Sequence, residues 1–204
     1  MRTGGKKFWR MFWAEDTMLK ELSREEMRRL YDERMQEDFP PAELKPWKRI
    51  EEMLSGGIYF AYGFCEEERI TAYAFFVVQG ASVLLDYYAV SREARGRGIG
   101  SRFLRLLKEE LRQKDICRMI VEVENPDFAK SEAEREERRR RIWFYEKNGL
   151  ILTEFCSCLF GVEYRIMHFP LQEAAGGIWM ALNRIYHAMF DKKYFGKEVM
   201  LPMP

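Results

Sequence analysis

The sequence predicts a mixed α/β fold, a central and mostly antiparallel mixed sheet of about seven strands flanked by helices, and three observations carry that prediction. Two pairs of apolar-rich segments, residues 58–64 with 70–78 and 151–157 with 162–169, are each joined by a short polar or glycine-containing turn, the pattern of antiparallel hairpins. A further aromatic and β-branched segment, residues 82–90, runs through a glycine-rich loop into a helix with leucines at helical spacing. A chain of 204 residues is long enough to bury one generous core around such a sheet.

Taken in order, a first strand is expected at residues 18–23. Ser23-Arg24-Glu25-Glu26 has capping-box spacing and opens a helix that runs to about Glu37. Asp38-Phe39-Pro40-Pro41 breaks it, and a second helix is expected over residues 42–54, ended by Gly56-Gly57. The first hairpin turns around Glu66-Glu67-Glu68-Arg69, and the strand at residues 82–90 is its next neighbour. Phe103, Leu104, Leu106, Leu107 and Leu111 mark one face of a helix reaching Gln113. Residues 119–124 form a strand closed by Asn125-Pro126, and a later helix ends with Gly149 as its C-terminal cap. The last hairpin turns at Gly161. Residues 178–190 form an apolar-rich helix whose stripe of Ile178, Leu182, Ile185 and Met189 suits packing onto the domain or onto a second copy in a homodimer. The chain thus divides into an N-terminal extension (1–16), a domain (17–171) and a C-terminal helical extension (172–204).

The loop Arg95-Gly96-Arg97-Gly98-Ile99-Gly100-Ser101 is the most informative stretch. Glycines let backbone N–H groups turn inward, and a helix start adds unpaired donors and a positive dipole end, which together suit a pyrophosphate. Arg95 and Arg97 add positive charge. A dinucleotide fingerprint read from Gly96 places Ser101 at its last glycine, and read from Gly98 places Phe103 there; the Gly-Lys-Ser/Thr of a P-loop is absent. The pattern that fits is Arg-x-x-Gly-x-Gly, from Arg95 through Gly98 to Gly100, preceded by Tyr88-Ala89-Val90.

With these residues the sequence resembles the GCN5-related N-acetyltransferase (GNAT) superfamily. Two further matches support the resemblance: Ile142-Trp143-Phe144-Tyr145-Glu146-Lys147-Asn148-Gly149-Leu150 is similar to the family's later motif, and Met119-Ile120-Val121-Glu122-Val123-Glu124-Asn125-Pro126 to its fifth strand. The resemblance covers residues 19–171. It implies a GNAT fold with a splayed strand pair, acetyl-coenzyme A as co-substrate and an amine acceptor. In that frame backbone at Tyr88, Ala89 and Val90 would bond the pantetheine arm and hold the thioester carbonyl, while amides of Arg95, Gly96, Arg97, Gly98, Ile99, Gly100 and Ser101 take the pyrophosphate. Asn125 matches a position that contacts the cofactor arm. Its alternative is a simple strand-ending turn. Tyr145 matches the family tyrosine near the thioester sulfur, a proton donor to the leaving thiolate; its alternative is a core aromatic beside Phe144. Two carboxylates compete as base. Asp86, expected on one face with Leu84 and Tyr88, would have a raised pKa among apolar neighbours, and Glu122 aligns with the family's acidic residue. Either would serve instead as an anchor for substrate charge. The connection between the first two helices would line the acceptor side, through Phe39, Pro40, Glu43 and Trp47, unless these residues only pack the helix pair.

Composition narrows the partners. With 34 Lys and Arg against 33 acidic residues, nothing draws the whole chain toward nucleic acid or an anionic membrane. The run at residues 134–141 contains Glu134/Arg138, Glu136/Arg140 and Glu137/Arg141 at i,i+4, which explains a solvated helix face without RNA. Cys65, Cys117, Cys156 and Cys158 lack metal or redox spacing and read as reduced, buried thiols of a cytoplasmic protein. No metal cluster is expected, His168 and His187 being the two histidines. The aromatic and basic residues before Asp16 do not form a signal peptide, and no apolar run spans a bilayer. The leading reading is an N-acetyltransferase acting on a primary amine of a small molecule or protein; the alternative is a catalytically silent acyl-coenzyme A binding module.

Overall fold

A computed structural model describes residues 17–41, 43–173 and 176–201. The N-terminal aromatic-basic segment lies outside the described residues, as does Ala42, where the second helix was expected to begin. The elements are β1 (Thr17–Glu21), α1 (Arg24–Leu30), a π-helical turn (Tyr31–Met35), α2 (Gln36–Asp38), α3 (Trp47–Ser55), β2 (Tyr59–Glu66), β3 (Arg69–Gln79), β4 (Ser82–Val90), α4 (Ile99–Gln113), β5 (Arg118–Glu124), α5 (Glu132–Lys147), β6 (Ile151–Leu159), β7 (Val162–Pro170), α6 (Ile178–Met189) and β8 (Val199–Met200). The capping box forms as the sequence predicts, Ser23 accepting from the Glu26 N–H while the Glu26 carboxylate accepts from that of Ser23. The second helix starts at Trp47. Pro46 occupies its N-cap, and a proline keeps the residue before it out of helical geometry.

The sheet runs β1-β2-β3-β4-β5-β7-β6-β8. All neighbours are antiparallel except the central β4 and β5. Seven strands match those expected, and an eighth, the two-residue β8 on β6, is too short for its alternation to be read. One face carries α1, α3 and α6 through Met27, Leu30, Ile50, Met53, Leu182, Ile185, Tyr186 and Met189. The opposite face carries α4 through Ile99, Phe103, Leu104, Leu107 and Leu111, with Tyr145 of α5. Each fully buried side chain of this kind contributes about 2 kcal/mol relative to leaving it in water. The stripe on α6 therefore packs onto the domain itself.

Two irregularities of β4 position the site. Its parallel pairing to β5 runs from Ser82↔Arg118 to Leu85↔Val121 and stops there, although the strands continue to Val90 and Glu124. The pair is splayed. In addition Phe75 pairs with Tyr87 and Phe76 with Leu85, leaving Asp86 as the extra residue of a β-bulge. The bulge resets alternation, so Asp86 keeps the face of Leu84, but Tyr88 turns to the opposite face, contrary to the simple period-2 expectation. The cysteines are all free thiols; Cys65 and Cys158 are buried, whereas Cys117 and Cys156 are only partly so.

Candidate active site

The glycine loop leads from β4 through a short 3-10 turn, Arg92–Ala94, into α4. Gly96 and Gly98 hold φ of 76° and 77°, in the left-handed region that an L side chain resists, and Gly98 is the N-cap of α4. No described side chain caps this helix start, and the N–H groups of its first turn have no helical acceptors. Gly100 sits in a tight place instead: a Cβ there would lie 3.3 Å from the Phe144 ring, which would have to yield slightly, and 3.5 Å from Val90. Arg95 and Arg97 are engaged within the chain. Arg95 donates to the Val90 carbonyl at 3.0 Å and lies 3.5 Å from Asp38, and Arg97 lies 3.7 Å from Glu66.

Beside the loop, the splay exposes strand backbone. The Ser91 N–H donates to the Thr71 carbonyl at 2.8 Å. By antiparallel alternation, Ala89 and Ser91 therefore direct their backbone groups to β3, and Tyr88 and Val90 direct theirs to the β5 side, where pairing has ended. On β5, Asn125 donates to the Glu163 carbonyl at 2.7 Å, so Glu122 and Glu124 turn their backbone groups toward β4. Two half-strands thus face each other across a gap.

On the α4 face of this gap, the Tyr88 hydroxyl donates to the Gly100 carbonyl at 2.5 Å and its ring stacks on Phe103 with centroids 5.5 Å apart. Tyr145 lies 6.4 Å from the Tyr88 ring and 5.2 Å from Phe144. Its hydroxyl makes no hydrogen bond among the described residues although the residue is 6% exposed, and burial raises its pKa, with Arg141 opposing. Gly149, at φ 87°, ends α5 and lets the Leu150 N–H return to the Tyr145 carbonyl at 3.0 Å, which fixes the backbone of that tyrosine. Asn125 is buried, and its side-chain oxygen accepts from the Asp127 N–H at 3.1 Å, so it serves the strand-ending turn.

The other face is built from side chains. Asp86 accepts from Lys45 Nζ at 2.6 Å and from the Tyr59 hydroxyl at 2.6 Å, so the apolar surroundings expected for it are replaced by a cation and a phenol. Burial works against the Lys45 charge, but Asp86 and its neighbours outweigh that and raise the lysine pKa. Glu122 accepts from Ser157 at 2.9 Å and from the Tyr186 hydroxyl, both on Oε1, and no described residue donates to Oε2. Burial raises the Glu122 pKa; the two hydroxyls and Lys45 oppose it, and Asp86 adds to it. Burial raises Glu43 likewise. Phe39 meets Tyr87 edge-on at 5.0 Å, and the Glu43 carbonyl accepts from the Tyr87 hydroxyl at 3.0 Å, so both reach this side. Trp47 packs on Tyr31 and under Arg28, within the helix pair, and Pro40 is exposed.

The charged run of α5 is only partly a solvated face. Arg138 pairs with Glu134 at 2.6 Å and Arg141 with Glu137 at 3.4 Å, but no Glu136–Arg140 pair forms among the described residues. Arg138 is buried and donates to the Asn125 carbonyl at 2.7 Å, while Arg141 also pairs with Glu124. These arginines lock α5 to the end of β5.

A splayed β4–β5 pair beside a glycine loop at a helix start is the arrangement the sequence resemblance implied, and a model of the acetyltransferase (GNAT) family matches residues 24–149. The chain belongs to the GNAT acetyltransferase family. No curated protein matches it in sequence. Among solved structures, the ribosomal-protein-S18-alanine N-acetyltransferase from Escherichia coli is similar at a TM-score of 0.58 with 18% identity, covering 79% of this chain and 98% of that one. A spermidine/spermine N-acetyltransferase from Vibrio cholerae gives 0.56 with 10% identity over 76% and 93%. A GNAT acetyltransferase from Elizabethkingia anophelis solved with acetyl-coenzyme A gives 0.52 with 11% identity over 77% and 99%. At these identities the likeness is one of fold.

Within this GNAT frame, Lys45, Tyr59, Ser157, Tyr164 and Tyr186 are the side chains around the two carboxylates that sequence reasoning missed. Tyr186 left one signal: at i+4 from Leu182, it is the polar-tipped residue in an apolar helix stripe. The α6 and β8 elements lie beyond the residues that the family model matches.

Proposed function

We propose that the protein transfers an acetyl group from acetyl-coenzyme A to a primary amine of a small molecule or a protein. The observation that carries this reading is the β4–β5 gap, where the backbone of Tyr88 and the N–H of Val90 turn away from β3 beyond the last β4–β5 pair, with a glycine-built helix start at one end, Tyr145 on one face and Glu122 on the other. Backbone amides of the loop bind phosphate, and the Tyr88 and Val90 groups align the acyl arm as an added strand would. Burial keeps Tyr145 protonated, so it holds a proton for a thiolate leaving into the same apolar surroundings. Glu122, with one oxygen held and the other without a donor among the described residues, accepts the proton of the amine. Asp86, committed to Lys45, fits the role of a charge anchor.

The first test is the thermal shift of the purified chain with acetyl-coenzyme A, against ATP and NADH. Ligand at about 100 times its dissociation constant adds roughly 2.7 kcal/mol, and a selective shift is expected. A screen of amines follows, including spermidine and a peptide with N-terminal alanine, the acceptor types in the names of two structural neighbours. No shift with acetyl-coenzyme A defeats the proposal.

A further inference from the structure

We propose that Tyr186 of the C-terminal helix is a positioning residue for Glu122: together with Ser157 it holds Oε1 and leaves Oε2 as the oxygen able to take a proton. This rests on the reading of Glu122 as the base. The contact joins parts of the chain 64 residues apart, and α6 lies outside the segment that defines the family match.

The geometry has three parts. First, Tyr186 is fully buried among Leu182, Ile185 and Met189, with its ring edge-on to Phe190 at 5.8 Å. A phenylalanine would fill such a place without a buried hydroxyl to satisfy, so the phenol oxygen needs partners, and it donates to Glu122 with the Ser157 hydroxyl beside it. Second, both donors converge on one carboxylate oxygen from different elements, Ser157 on β6 and Tyr186 on α6. Two donors from different elements restrict how far the carboxylate can turn. Third, the remaining groups facing Glu122 are few: Lys45 before α3 favours its charge, Asp86 on β4 disfavours it, and Tyr164 on β7 lies near enough for its own ionisation to be opposed by Glu122. Tyr186 and Ser157 are thus the groups that bond Glu122 directly. The C-terminal helix then serves catalysis as well as packing.

The test is a carbon-13 NMR titration of the glutamate side-chain carboxyls in the full chain, with Glu122→Gln used to assign the Glu122 signal. Tyr186→Phe, which keeps the buried ring, is expected to raise the Glu122 midpoint by about one pH unit, tenfold in proton concentration, because a donor to the charged form is lost. Ser157→Ala shifts it the same way and keeps the proposal testable if Tyr186→Phe fails to fold. An unmoved midpoint in a folded variant overturns the inference. The catalytic consequence is read with whichever of spermidine or the alanyl peptide is acetylated: the acidic limb of kcat/KM moves up with the titration, while KM for acetyl-coenzyme A stays within about twofold. If the titration moves but Glu122→Gln turns over as wild type does, the base reading itself fails and the catalytic role of Tyr186 falls with it.

Discussion

The two faces of the β4–β5 gap are built on different principles. On the α4 face the site is mostly backbone: glycines at positive φ, a helix start and two strand residues whose partners have ended. On the α6 face it is side chains drawn from the whole chain, Glu43 and Lys45 before α3, Tyr59 on β2, Asp86 on β4, Glu122 on β5, Ser157 on β6, Tyr164 on β7 and Tyr186 on α6. A phosphate and an acyl arm are invariant parts of one ligand and need a fixed backbone. An acceptor amine is met by charge and shape, which many side-chain sets supply. The first face should therefore be sensitive to backbone changes and the second to charge changes.

The largest expected effect is on the side-chain face. Glu122→Gln should lower kcat by about 10³-fold in the amine assay, the range in which a general base acts. It should also stabilise the protein above mildly acidic pH. Because the folded-state pKa of Glu122 lies above its ordinary value of 4.5, the native state holds this proton more tightly than the unfolded chain does. Stability is then full below the unfolded pKa and falls as pH rises through the folded one. The amide removes that loss, so thermal melts across pH should show wild type losing more stability than the variant over that window.

Tyr145→Phe comes next, with an expected fall of about 10²-fold in kcat and little change in KM for acetyl-coenzyme A. Unchanged turnover would make Tyr145 a packing residue of the α4 face. Lys45→Met probes the opposite face through stability: among the described residues it leaves Asp86, 5% exposed in its side chain, with the Tyr59 hydroxyl as its donor, and should cost about 3 kcal/mol in chemical denaturation. Pairing it with Asp86→Asn should recover most of that, since the cost is an unpaired buried charge rather than lost packing.

The contrast also explains what the sequence made legible. Gly96, Gly98 and Gly100 are close in sequence because one turn needs them together, and hairpins and helices announce themselves by local periodicity. Lys45, Ser157 and Tyr186 come together around the carboxylates only once the sheet is ordered, and the helix stripe that marks Tyr186 does not name its partner 64 positions away. Local rules failed even within β4, where one bulge at Asp86 sent Tyr88 to the face opposite the one its alternation gave. Burial of Arg138 was hidden for the same reason, since its neighbours Glu134 and Glu137 read as an ordinary solvated face and the Asn125 carbonyl that takes its guanidinium is distant in sequence.

The smallest expected effect tests the backbone face most sharply. If loop amides rather than guanidinium groups hold the phosphate, Arg97→Ala should weaken acetyl-coenzyme A binding no more than about threefold, because its side chain is 60% exposed and already 3.7 Å from Glu66. That residual effect should fade as salt rises. Gly98→Ala is the matched control: nothing lies within 4 Å of the added Cβ, so the substitution changes only the preference for φ of 77°. It should weaken binding about tenfold by calorimetry. A larger loss from Arg97→Ala than from Gly98→Ala would mean that charge, not backbone geometry, builds this face too, and the distinction between the two sides of the gap would be lost.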